Sequence, residues 1–313
     1  MPASHAQATT KTTNNPDVSI GFVGLGNMGA PMVRCLAKAG YRVVAYDVRS
    51  GVAANLAAEP AMAKHVFAAQ SLADVGAAGI VITMLPDSKI VRAAVMGTSQ
   101  TPGLAASLVA GSVVIDMSSS YPLDTRALAA DLAARQISIV DAPVSGGVGK
   151  AVSGTLAIMA GGDAAALDRV TPVLSAMGQV HRSGPLGSGH AIKALNNYVS
   201  AAGLIATCEA LAIAEQFGLD ASTVTRVINA STGRNNTTEN KADRYLIPRN
   251  FTSGFALALM EKDVGMARAL ADDLGLEAAE LGFVSAYLTR ALTSLDKAAD
   301  HTAVMALATQ TKK

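Results

Sequence analysis

The chain has 313 residues, long for one compact core, and two domains suit it better. Half of the residues are apolar, only 16% are charged and the formal net charge is +1, so no basic field exists to hold a nucleic acid or an anionic membrane surface. The expected partner is a small molecule.

The opening residues 1–17, MPASHAQATTKTTNNPD, are polar where a secretory signal needs an apolar core, and they read as a disordered tail. No uninterrupted apolar run of about 18 residues follows, so no membrane partner is expected. Cys35 and Cys208 sit inside apolar helical patterns and are too few for a disulfide framework, which fits a cytoplasmic protein.

Residues 18–186 alternate short β-branched runs with alanine-rich stretches. The runs are VSIGFVGLG, YRVVAYD, GIVITMLP, GSVVIDMSS, ISIVDAPVSGG and LAIMAGG. Continuous apolar runs mark strands covered on both faces, and the helices between them supply parallel crossovers. The pattern predicts an α/β fold with a Rossmann-type, doubly wound parallel sheet.

GFVGLGNMGAPM sets Gly24, Gly26 and Gly29 in the spacing GxGxxG, after a strand and opening a helix. Glycines there permit a tight turn and close approach of the backbone to a pyrophosphate, whose charge a helix N-terminus favours. The next strand ends at Asp47, eighteen residues past Gly29, where a carboxylate can accept from the ribose hydroxyls of NAD. Arg49 complicates the choice, since an arginine just beyond that strand can hold the 2′-phosphate of NADP. It reads equally as a solvated loop residue or one stacked on adenine. A carboxylate at the ribose repels that phosphate, so NAD is the expected cofactor and NADP the alternative.

DAPVSGG follows a strand, at the sheet edge where ligands of such folds bind. The amides of Ser145, Gly146 and Gly147 can form a nest for a carboxylate, with the Ser145 hydroxyl as a further donor; the plain alternative is a strand-to-loop turn.

From residue 187 to 313 the strand signals stop, which predicts an all-helical domain for substrate binding and dimerisation. Its first helix, AIKALNNYVSAAGLIATCEALAIAEQF, would be roughly 40 Å long, enough to leave one domain and cross another. Apolar nearly all round, it needs more cover than one small domain provides, so a homodimer or a dimer of dimers is expected. Lys193 and Asn197 lie one turn apart on one face and must address the same partner. An amine shielded from water has its pKa lowered toward the range useful for proton exchange, and an amide beside it can orient a substrate oxygen. The alternative is a solvated lysine on an exposed first turn. His190, three residues earlier on that face, is a weaker candidate base.

The polar link STGRNNTTENKADRYLIPRNFTSGF, residues 231–255, is a candidate specificity loop through Arg234, Asn235 or Asn236. In FALALMEKDVGMA, Lys262 can close over the cofactor edge or belong to a surface charge cluster with Glu261 and Asp263. The remaining histidines form no spacing that would hold a metal.

GFVGLGNMGAPM, DAPVSGGVGKAVSGTLAIMAGG, GSGHAIKALNN and FALALMEKDVGMA, in this order, resemble the β-hydroxyacid dehydrogenases, the group containing 3-hydroxyisobutyrate dehydrogenase and tartronate semialdehyde reductase. The resemblance implies that Lys193 and Asn197 are catalytic and that Ser145, Gly146 and Gly147 bind the substrate carboxylate. It implies cofactor contacts at Gly24, Leu25, Gly26, Asn27, Met28 and Gly29, at Leu85 and Pro86, and at Ser119 and Lys262. The implied activity is NAD(P)-dependent hydride transfer to or from a small, 3-hydroxyisobutyrate-like acid. An imine-reducing relative and a non-catalytic dinucleotide-binding adaptor are the alternatives, and the presence of Lys193 argues against both.

Overall fold

The computed structural model describes residues 18–296 and 298–309. The tail expected over residues 1–17 lies outside them. Among the described residues nine strands form one sheet: Ser19–Val23 (β1), Arg42–Tyr46 (β2), Val66–Ala68 (β3), Ile80–Thr83 (β4), Val113–Asp116 (β5), Ser138–Asp141 (β6), Val144–Ser145 (β7), Leu156–Gly161 (β8) and Gly178–Gly184 (β9). Between them run the helices Gly29–Lys38 (α1), Val52–Ala57 (α2), Leu72–Gly76 (α3), Ser88–Met96 (α4), Pro122–Ala133 (α5), Gly147–Ser153 (α6) and Ala164–Ser175 (α7).

The strand order is β3-β2-β1-β4-β5-β6-β8-β7, with β9 paired to β8. The first six strands are parallel, as their unbroken apolar runs require. Both faces are covered: Ile20, Phe22, Ile82 and Ile115 enter one core, while Val81 and Val114 enter the other. Each such side chain contributes about 1.5–3 kcal/mol by leaving water.

The sheet is the expected doubly wound parallel one over its first six strands and departs from parallel pairing at one end. The run LAIMAGG forms β8, which pairs antiparallel with β6 and β7 and parallel with β9. The seven-residue α6 advances only about 10 Å, short of the roughly 20 Å that the six-residue β8 covers, so the chain is not carried back for a parallel return. Three strands leave no apolar run to read. Those are β3 and β7, with three and two residues, and β9, a partly exposed sheet-edge strand, GQVHRSG.

The second half is helical: Ser188–Phe217 (α8), Ala221–Asn229 (α9), Asn236–Asn240 (α10), Leu257–Asp273 (α11), Ala279–Ser294 (α12) and Met305–Ala308 (α13). The link 231–255 is not all irregular, since it contains α10 and a π-helical turn, Ala242–Leu246. At 30 residues α8 is about 45 Å long; its start packs on β8 and β9 and its remainder on α9 to α13. By length and composition it is apolar enough to cross a bilayer, yet half of its most apolar window is buried inside the protein. Ala194, Ala201, Leu204, Cys208 and Leu211 form the centre of the helical core, with Leu257, Met260 and Val264 of α11 against them.

Candidate active site

The loop between β1 and α1 is shaped by backbone proximity. Gly24 has φ +99°, and a Cβ there would stand 2.3 Å from the Met84 carbonyl oxygen. A Cβ at Gly29 would meet the Gly24 carbonyl oxygen at 1.9 Å, whereas one at Gly26 would meet nothing within 4 Å. The first and last glycines bring strand, turn and helix together, and the middle one leaves an open cradle over the start of α1, as a bound pyrophosphate needs. Asn27 is exposed and Met28 half-buried at that rim, while the Leu25 side chain is buried in the sheet core.

Asp47 closes the side of this loop. Its carboxylate accepts from the Leu25 amide at 2.8 Å, and from the Arg49 amide and guanidinium at 2.9 Å. The Arg49 guanidinium holds the Asp47 carboxyl down at about 2. Arg49 is itself 60% exposed, so it is folded onto its neighbour with its outer face in water.

Opposite the loop, Lys262 reaches from α11 to the sheet edge. Its Nζ donates to the Pro86 carbonyl at 2.7 Å and the Ser119 carbonyl at 3.1 Å. The Leu85 amide donates to the Ser118 hydroxyl at 2.9 Å, so the turns after β4 and β5 are tied to each other as well. Lys262 is therefore a bridge between the helices and the sheet, not a member of a solvated surface cluster.

Lys193 and Asn197 share one face of α8, as their spacing requires. Lys193 is partly buried: loss of water around its ammonium lowers its pKa, Asp263 opposes that shift and Lys262 adds to it. Asn197 is buried and donates from Nδ2 to Asp263 Oδ2 at 2.5 Å, while its Oδ1 accepts from Asn196 at 3.2 Å. Burial raises the Asp263 carboxyl, against the pull of Lys262 and Lys193.

His190 is turned into the protein interior. The residue is 1% exposed, with Nδ1 2.8 Å from the Thr125 hydroxyl and Nε2 3.1 Å from the Ser118 carbonyl. Both nitrogens are engaged inside the protein, so it joins α8 to α5 and the β5 turn and is not oriented as a base toward a substrate. The first turn of α8 is also held from β6: Asp141 accepts the amides of Gly187 and His190, each at 2.8 Å. From that same residue the chain runs on to Ser145, at the end of β7, and to Gly146 and Gly147, exposed at the turn into α6. Asp141 thus anchors the helix that carries Lys193 and stands four residues before the candidate carboxylate loop.

Within the link 231–255, Asn235 is seated further along α8 than Lys193. Asn235 caps α10, donates to Thr207 at 3.2 Å and packs at Gly203, ten residues or about 15 Å further along α8. Arg234 is exposed beside Glu239, at 3.6 Å, and Asn236 opens α10.

A family model described as the NAD binding domain of 6-phosphogluconate dehydrogenase matches residues 19–191, and one described as the NAD-binding region of NADP-dependent 3-hydroxyisobutyrate dehydrogenase matches residues 187–308. The chain belongs to the β-hydroxyacid dehydrogenase family. Among its relatives, a 2-(hydroxymethyl)glutarate dehydrogenase from Eubacterium barkeri is 36% identical over 89% of this chain and 88% of its own. A 3-hydroxyisobutyrate dehydrogenase from Pseudomonas aeruginosa is 34% identical, covering 90% and 93%. The structure of Mycobacterium tuberculosis 3-hydroxyisobutyrate dehydrogenase with L-serine superposes with a TM-score of 0.83 at 33% identity, covering 93% of this chain and 98% of that one.

As a β-hydroxyacid dehydrogenase, the protein is an NAD(P)-dependent oxidoreductase of hydroxy acids. The open cradle at Gly26 and the carboxylate at Asp47 fit the pyrophosphate and ribose of such a cofactor. Three participants were not singled out from sequence: Asp263, Asp141 and His190 in its anchoring role. Asp263 and Asp141 stand inside quoted motifs, but their partners lie 66 and 49 residues away, and nothing local reveals them.

Proposed function

We propose that the protein interconverts a small β-hydroxy acid and its semialdehyde, with a primary alcohol on the carbon next to the one bearing the carboxylate. The observation carrying this reading is the partly buried Lys193 amine one turn from Asn197, on a helix anchored by the residue that leads into the Ser145–Gly147 loop. The names of three relatives support the substrate class, because 2-(hydroxymethyl)glutarate, 3-hydroxyisobutyrate and L-serine all contain that hydroxymethyl group beside a carboxylate-bearing carbon.

The nicotinamide, when bound, accepts or returns the hydride. Residues of the Gly24–Gly29 loop, Asp47, Leu85, Pro86, Ser119 and Lys262 hold the cofactor, and Asp47 with its anionic carboxylate favours NAD over NADP. Amides at Ser145, Gly146 and Gly147 hold the substrate carboxylate and so direct the hydroxymethyl end toward α8. Lys193 Nζ, as the neutral amine, takes the hydroxyl proton during oxidation; as the ammonium it returns one to the carbonyl oxygen during reduction. Asn197 donates its remaining N–H to the same oxygen and keeps it in line.

We further read residues 18–186 as the dinucleotide-binding domain and 187–313 as the substrate and dimerisation domain. Ile192, Leu195, Val199 and Ile213 expose an apolar stripe along α8, between 41% and 70% exposed, which a second copy would cover. Two buried free thiols, Cys35 and Cys208, fit a reducing, cytoplasmic setting, with no nucleic acid or membrane as partner.

The test is a panel of three- to six-carbon hydroxy acids, including 3-hydroxyisobutyrate, 3-hydroxypropionate, glycerate, threonate and serine, assayed with NAD and NADP by nicotinamide absorbance. Turnover confined to acids with a hydroxymethyl group beside the carboxylate-bearing carbon supports the proposal, and preference for acids whose one hydroxyl sits on the carboxylate-bearing carbon overturns it.

A further inference from the structure

Asp263 is a buried carboxylate that the chemistry above leaves without a task. It projects from α11 at 2% exposure, and its two oxygens differ. Oδ2 accepts from Asn197 Nδ2 at 2.5 Å; Oδ1 has no hydrogen-bond partner among the described residues and lies 3.6 Å from Lys262 Nζ. A buried carboxylate with an unpartnered oxygen is unfavourable unless positive charge compensates it. Two cations face it, Lys262 from its own helix and Lys193 from α8, and the same two acidic and basic groups, Asp263 and Lys262, are the charges that face Lys193.

An ionised carboxylate can only accept, so Asp263 dictates which end of the Asn197 amide turns toward it. Nδ2 must point at the carboxylate with one hydrogen, and the second hydrogen is left for another acceptor. Asn196 donating to Asn197 Oδ1 agrees with that orientation.

We propose that Asp263 is a positioning residue of the hydroxy-acid site: its carboxylate sets the Asn197 amide with a spare N–H for the substrate oxygen, and it supplies the negative charge that keeps Lys193 an ammonium when a semialdehyde is reduced. The inference rests on Lys193 being the acid and base. Burial drives Lys193 toward the neutral amine, which serves oxidation and starves reduction of its proton donor. The carboxylate works against that drift and so lets one lysine serve both directions.

The decisive measurement is kcat/KM against pH, in both directions, for Asp263→Asn, Asp263→Glu and Lys193→Ala, with folding followed by melting temperature. Asp263→Asn keeps shape and removes charge, so the rising limb of oxidation moves to lower pH by about one unit, and reduction at pH 8 loses about tenfold more than oxidation does. Asp263→Glu keeps the charge and misplaces it. The limb stays within about 0.3 unit of the parent while kcat falls about tenfold through the displaced amide. An unmoved limb in Asp263→Asn, with Lys193→Ala inactive, overturns the inference and leaves the lysine mechanism standing. If Lys193→Ala retains turnover, the mechanism itself falls and takes this inference with it. Should Asp263→Asn fail to fold, Asp263→Glu decides alone, since a shifted limb or an undiminished kcat refutes the proposal.

Discussion

The carboxylate of Asp141, at the end of β6, accepts the backbone N–H of His190 at 2.8 Å and thereby docks the first turn of α8 on the sheet. The contact is close because the helix lacks a side chain where it crosses β8: a Cβ at Gly189 would stand 2.0 Å from the Met159 carbonyl oxygen and 2.9 Å from Asp141 Oδ2. The position of Lys193, one turn later, depends on that approach.

Gly189→Ala therefore separates two physical effects of opposite sign. Helix propensity alone favours alanine over glycine by about 1 kcal/mol. The clash with fixed backbone costs more, about 1–3 kcal/mol or above, because neither the carbonyl nor the helix can yield. We expect a lower melting temperature and a loss of turnover from displacement of Lys193; a variant more stable than the parent contradicts the docking argument.

Lys193→Ala is expected to reduce kcat by at least about a thousandfold, the upper range for loss of a general acid or base. NADH affinity, read by fluorescence titration, should change little, since the cofactor contacts proposed here lie on the sheet edge and Lys262. Retention of more than about a tenth of the parental rate would remove the lysine from the mechanism.

The pH dependence follows from the direction of the Lys193 shift. Burial lowers its pKa from the ordinary 10.5, so the neutral amine is populated at lower pH than for a solvated lysine. Oxidation, which needs that amine, should accelerate with rising pH and reach its plateau below pH 10.5. Reduction, which needs the ammonium, should show the reverse limb at the same pH. Opposite limbs at clearly different pH values would point to two different groups.

Asp47→Asn tests the cofactor assignment. Removing the carboxylate should weaken NAD about tenfold and narrow its advantage over NADP, because the repulsion of a 2′-phosphate is lost while Arg49 is released. The same residue gives an acid signature. Its folded pKa, near 2, lies below its unfolded value, so its contribution to stability is complete above about pH 4 and is lost as pH falls toward 2. The melting temperatures of parent and Asp47→Asn should accordingly converge at the acid end of that window. A constant gap down to pH 2 would mean that the Asp47–Arg49 contact is not formed in solution.

Much of this protein is legible in its sequence. Continuous β-branched runs are what a strand covered on both faces requires, so β1, β2, β4, β5, β6 and β8 could be placed from composition over a few residues. The glycine spacing and Asp47 were legible because the turn and the following strand are local, and the shared face of Lys193 and Asn197 follows from helical periodicity alone.

What the tertiary structure decided is everything that joins distant segments. The antiparallel entry of β8 comes from an α6 too short to carry the chain back, and the inward turn of His190 from Thr125 and Ser118 on other elements. Asn235 is seated near Gly203, ten residues along α8 from Lys193. Asp263 looks like a surface residue in MEKDVGMA, yet folding brings it 2.5 Å from an amide 66 positions earlier, buried and facing two lysines. Periodicity tells which face a residue occupies; only the packing of α11 on α8 determines what that face meets, and with it the charge that Lys193 experiences.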